Sequence, residues 1–110
     1  MIDNLGENKI KMKENLKRLD AFLEHAAIPF STEHINSIKN LIEKIDPQPE
    51  ISLTDQKSIL LKFNKSNGDL LSFEITGDNK VFIAKNTYHE IISKRQIEYD
   101  DILMEIILFY

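Results

Sequence analysis

The chain of 110 residues has no cysteine, only three glycines and three prolines, and no long apolar run. Without cysteine there are no disulfides and no thiolate metal sites, which fits a reducing compartment. Three glycines, Gly6, Gly68 and Gly77, cannot build a phosphate-cradling loop. No stretch approaches the ~18–20 apolar residues that span a bilayer. The segment Ile102 to Tyr110 is too short and contains Glu105. The opening MIDNLGENKIKMKENL has no apolar run of the signal-peptide kind, so the expected location is the cytoplasm. There is also no positive charge after Arg95, although Glu98, Asp100, Asp101 and Glu105 follow it. The whole chain carries −4, so everything before that segment balances to zero. A pI near 5.3 argues against nucleic acid as a direct partner, because phosphate binding needs a basic face.

Apolar residues make up 42% and charged residues 29%, an ordinary soluble composition for one domain over 1–110. Residues 1–7 are polar, include Gly6 and are expected to fray. From about Asn8 to Ala27, Met12, Leu16, Leu19, Leu23 and Ala26 recur at helical steps, and Phe22 widens the stripe. Pro29 stops this helix, because the residue before a proline is pushed out of the α region. Ser31 or Thr32 then caps a second helix with Ile35, Ile38, Leu41, Ile42 and Ile45 on one face, ended by Asp46-Pro47-Gln48-Pro49. The short connection predicts an antiparallel helical hairpin over 8–46.

Beyond it, over 51–85, the period changes to two. Ile59, Leu61 and Phe63 alternate, then Leu71, Phe73 and Ile75, then Val81 and Ile83. Three-residue loops, Ser66-Asn67-Gly68 and Gly77-Asp78-Asn79, put every one of these side chains on one face, whereas a two-residue Asn67-Gly68 turn would not. They pair Phe63 with Leu71, Leu61 with Phe73, Ile75 with Val81 and Phe73 with Ile83. The outward face then holds Glu74 with Leu60, Leu70 and Phe82, which the later helices are expected mostly to cover.

Segment 86–110 reads as helical. Thr87 with Glu90 makes a capping box for a short helix to Arg95, with a fourth strand as the rival. Asp100 caps a terminal helix that is apolar nearly all round, a pattern expected of a helix buried on more than one side. The fold class is α+β: the helical hairpin, a three- to four-stranded antiparallel meander and a C-terminal helix on the sheet.

Catalytic and metal constellations do not emerge. His25, His34 and His89 have no HExxH or other ligand spacing, and no serine lies in GxSxG. No metal, cofactor or enzymatic role is expected. The run Lys9, Lys11, Lys13, Lys17, Arg18 is diluted by Glu7, Glu14, Asp20 and Glu24 and reads as a solvated face rather than a phosphate or membrane site. The acidic cluster Glu98, Tyr99, Asp100, Asp101 has two readings. Carboxylates belong at helix N-termini. Three around a tyrosine exceed that need and suit an interface.

The paired helices before Asp46-Pro47, the SILLKF/DLLSFEIT/KVFIAK meander and the closing EYDDILMEIILFY carry a resemblance over most of the chain. In size, style and charge the protein resembles an immunity protein of a bacterial contact-dependent growth inhibition system. That resemblance implies a cytoplasmic monomer that binds the C-terminal toxin domain delivered by a neighbouring cell. The toxin would be a nuclease with a basic site, occupied by an acidic surface in place of nucleic acid. The expected contact set is Glu98, Tyr99, Asp100 and Asp101, with Glu74 and Asp78 as outliers. The alternative is a small ligand-binding or regulatory domain with a pocket between hairpin and sheet, lined by Leu60, Leu70 and Phe82.

Overall fold

The computed structural model describes residues 4–110. Two helices, α1 (Asn4–His25) and α2 (Thr32–Lys44), precede five strands, β1 (Glu50–Leu53), β2 (Ile59–Asn64), β3 (Leu70–Ile75), β4 (Val81–Asn86) and β5 (Ile91–Ile97). A 3-10 turn (Tyr99–Asp101) leads into α3 (Ile102–Phe109). The strands form one antiparallel sheet in the order β1-β2-β3-β4-β5. The fold class is therefore the α+β arrangement expected, with one strand more than the upper count.

Alternation explains the sheet. Its inner face carries Ile51, Ile59, Leu61, Phe63, Leu71, Phe73, Ile75, Val81 and Ile83, all at most 3% exposed. Phe63 lies opposite Leu71, Leu61 opposite Phe73, Ile75 opposite Val81 and Phe73 opposite Ile83, the register that the loop argument requires. The Lys65 N–H donates to the Asp69 carbonyl and the Gly68 N–H to that of Lys65, closing the three-residue loop. Gly68 takes φ +95° and Asn79 φ +65°, both in the left-handed region where a Cβ is costly. The β1–β2 loop repeats this geometry, with Lys57 in the left-handed slot at φ +61°.

All three helices pack on the inner face. Ser31 caps α2, its Oγ accepting from the His34 N–H at 3.0 Å, and Ile35, Ile38, Leu41 and Ile42 are buried. Of the apolar side chains described along α1, Leu19 is fully buried, while Met12, Leu16, Phe22 and Ala26 pack partly. Polar contacts complete its docking. Asn15, 4% exposed, donates to Gln48 Oε1 and to the Pro49 carbonyl, both at 3.0 Å. Gln48 Nε2 donates to the carbonyls of Ile42 (2.7 Å) and Ile45 (2.8 Å), filling acceptors left open at the C-terminus of α2. On α3, Ile102, Ile106 and Phe109 enter the core, and Glu105 lies 3.8 Å from both Lys85 and Arg95.

The fraying expected of residues 1–7 falls partly outside the described residues, at 1–3, and α1 begins at Asn4. Three expectations are corrected. The helical reading of 86–110 fails over β5. The Glu90 N–H does donate to Thr87 Oγ1 (3.0 Å), the bond an N-cap makes, but the Thr87 N–H returns to the Glu90 carbonyl (2.9 Å) and closes a hairpin. Leu60, Leu70 and Phe82 are not covered by helices, because every helix lies on the opposite face; Leu70 is 40% exposed. Finally, α3 is buried on one side only, leaving Met104, Ile107 and Leu108 exposed.

Candidate functional site

The row Leu53–Ile59–Ile75–Val81–Ile97 crosses all five strands at one end of the sheet. Beyond that row the β1–β2 loop, the β3–β4 loop and the turn after β5 emerge together. They carry the carboxylates of Asp55, Asp78, Glu98, Asp100 and Asp101 against Lys57 and Lys80. At the other end, the β2–β3 and β4–β5 loops hold Lys65 with Asp69 and Glu90, beside His89, a smaller acidic excess. Topology therefore gathers acid from separate stretches of sequence at one end.

The expected contact residues divide by environment. Glu98, Asp100 and Asp101 are exposed, and none of the six ion pairs among the described residues uses them. Asp101 also has a structural task, since its carboxylate accepts from the Glu98 N–H at 3.3 Å. Tyr99 turns the other way and packs against the core. Its hydroxyl is buried without a hydrogen-bond partner among the described residues, and burial, with a smaller contribution from Asp100, pushes its pKa up to about 12. It anchors the turn from inside and is not a free aromatic on the surface.

Asp78 belongs to the same end of the sheet. The Thr76 hydroxyl donates to its carboxylate and Lys80 lies 3.6 Å away; the hydroxyl, more than the lysine, holds its pKa below the ordinary 3.8. Glu74 stands one row inward on the outer face. Its carboxylate accepts from Ser58 Oγ at 2.5 Å and lies 3.8 Å from Lys94. Lys94 in turn sits 4.5 Å from the centroid of the Phe82 ring. Glu74 thus has its charge engaged within the sheet, and no hydrogen bond or ion pair joins it to the Glu98–Asp101 turn. The fourth C-terminal acid, Glu105, faces Lys85 and Arg95 and is 15% exposed.

Two cavities border this end. One of about 360 Å³ lies between α2 and the turn, lined by Ser37, Asn40, Lys44, Tyr99, Asp100 and Leu103 among others. The other, about 270 Å³, is lined by Ser31, Glu33, His34, Ser37, Gly77 and Asn79. His34 stacks on Phe30 with ring centroids 4.7 Å apart, and burial lowers its pKa against the opposing pull of a Gly77 backbone contact. Leu60, Leu70 and Phe82 line neither. Among the described residues no group of three or more His, Asp or Glu side chains is placed to hold a metal, and no helix is long and apolar enough to cross a membrane.

Sequence reasoning missed Asp55, because β1 was not recognised and its loop could not be placed. Comparison with protein-family models, with curated proteins and with solved structures finds no match.

Proposed function

We propose that this chain is a non-catalytic binding protein that neutralises a cognate toxin, and that its acidic sheet end occupies the basic site of a nuclease domain. The observation that carries this reading is the convergence of three loops at one end of the sheet, with Glu98, Asp100 and Asp101 exposed and in no ion pair among the described residues. Unpaired carboxylates on a rigid turn speed encounter with a basic surface and penalise wrong partners. The turn is rigid because Tyr99 is anchored beneath it and Asp101 closes back on Glu98. The resemblance in size, style and charge, over most of the chain, to immunity proteins of contact-dependent growth inhibition is in keeping with this reading and suggests the setting, the cytoplasm of a bacterium attacked by its neighbour.

Within the expected set, the roles are now unequal. Glu98, Asp100 and Asp101 are the contact charges, Asp78 flanks them, Tyr99 positions the turn, and Glu74 braces the sheet. Asp55 joins the contact surface. The test is calorimetric titration of the toxin domain with the wild-type chain and with the Asp100→Lys, Asp101→Lys double variant. The double variant is expected to fold and to bind more weakly, by an amount that shrinks as salt rises. Unchanged affinity would remove the turn from the interface.

A further inference from the structure

The start of α2 and the β3–β4 loop meet at a tight joint that holds a histidine. Pro29, in the α1–α2 connection, rests so closely on Gly77 that a Cβ there would collide with the Pro29 carbonyl oxygen. Beside this contact His34 stacks on Phe30, the two rings 27° from parallel, and meets the Gly77 backbone. Its Nε2 is buried and has no hydrogen-bond partner among the described residues. His34 also lies in the first turn of α2, where its own N–H is capped by Ser31 Oγ. The charged groups on the elements around it are Glu33 on α2, Asp78 and Lys80 on the loop and, past Ser37, Asp100 on the turn after β5. None of the six ion pairs among the described residues includes His34.

We propose that His34 is a pH-operated latch: when neutral it joins the start of α2 to the β3–β4 loop, and when protonated it releases them. A neutral imidazole carries one N–H and one bare nitrogen, so Nε2 can stay unprotonated in its buried place. An imidazolium carries two N–H groups, and the one at Nε2 has no acceptor there. The new charge also falls in the first turn of a helix, where the macrodipole opposes a cation. The face of the Phe30 ring attracts a cation, but the Nε2 proton lies in the plane of the imidazole, which stacks on that face and so does not point at it. Water reaches Nε2 only when the joint parts. Burial makes the folded chain bind this proton less tightly than the ordinary 6.5. Stability from the joint is therefore complete above that value and is lost as pH falls through the lower one. Asp78, held below 3.8, stays ionised throughout, so the loss is not its own. The released loop carries Asp78 away from the acidic sheet end, of which it is one flank.

The experiment is an NMR titration of the full chain from about pH 8 to 5, the range in which histidine changes charge. The His34 ring protons are expected to titrate below 6.5. Nuclear Overhauser contacts between Pro29 and Gly77 are expected to be lost with the same midpoint and to return when the pH is raised. His34→Gln, which keeps a polar side chain that does not titrate, is expected to hold those contacts down to about pH 5. The wild-type titration stands without the variant, should the variant not fold. A His34 midpoint at or above 6.5 would overturn the proposal. So would Pro29–Gly77 contacts that persist after His34 has taken its proton, which would leave it a packed histidine and no latch. Loss of the contacts at the same pH in His34→Gln would also overturn it, by assigning the change to another group.

Discussion

Replacing Gln48 by alanine probes the joint between the helical hairpin and the sheet. Gln48 is 6% exposed and its side chain makes three hydrogen bonds, two to the carbonyls of Ile42 and Ile45 and one from Asn15. Each bond contributes about 0.5–1.5 kcal/mol net. The groups left behind are not fully orphaned. The Ile42 carbonyl keeps the Ile45 N–H, the Ile45 carbonyl keeps Asn8 Nδ2, and Asn15 keeps the Pro49 carbonyl. The full desolvation penalty of a buried unpaired group therefore does not apply at each position, and the total comes to roughly 2–4 kcal/mol. In urea, with a slope of ~1–3 kcal/mol per molar, the unfolding midpoint falls by about 1–2 M. Gln48→Glu sharpens the test. It loses both donors and aims a carboxylate at two carbonyls, so at pH 7 it costs at least as much as alanine. Burial raises the new carboxyl's pKa, so the folded state binds its proton more tightly than the unfolded state. Part of the loss then returns as pH falls towards 5. Circular dichroism during urea titration measures both variants. An alanine cost below about 0.5 kcal/mol, or a glutamate variant without pH dependence, would refute this account of how α1 is held.

Tyr99→Phe removes a buried hydroxyl that has no partner, so stability at pH 7 is expected to hold or rise by about 0.5–1 kcal/mol. Above pH 10 the unfolded chain releases the phenolic proton while the folded chain keeps it until about 12, so wild-type stability falls across that window. The phenylalanine variant lacks that part of the fall; a loss above about 1 kcal/mol at pH 7 would show that the hydroxyl is bonded. At Gly77 an added Cβ would stand 2.4 Å from the Pro29 carbonyl oxygen, where the α1–α2 connection rests on the β3–β4 loop. Gly77→Ala is expected to cost about 1–3 kcal/mol, seen as a lowered melting temperature, and an unchanged melt would mean that the connection is not seated there.

Much of the fold was legible because two independent signals agreed. In the meander the parity of the apolar residues demanded three-residue loops, and Gly68 and Asn79 stood where such loops need a left-handed residue. Where the signals parted, the reading failed. β1 is four residues long beside Pro49, and its loop uses Lys57, not glycine or asparagine, in the left-handed slot. In β5 a register irregularity opposite Ala84 interrupts the alternation, and Thr87 with Glu90 makes the same hydrogen bond in a hairpin as in a helix cap. The site was legible in part. Acid concentrated in sequence, at Glu98, Asp100 and Asp101, is acid concentrated in space. That Tyr99 turns inward, that Ser58 and Lys94 engage Glu74, and that Asp55 joins the same end all depend on contacts between strands, which no local pattern encodes. The Asn15–Gln48 bond spans 33 residues and is invisible for the same reason.

The most direct test of the acidic sheet end as a binding surface is a tagged pull-down from the native cell. Wild type and the Asp100→Lys, Asp101→Lys variant are compared at low and raised salt, with the eluate quantified by mass spectrometry. The account predicts one stoichiometric basic partner, reduced by salt and largely absent from the variant. A partner retained equally by both proteins, or none with the wild type at either salt, would contradict it.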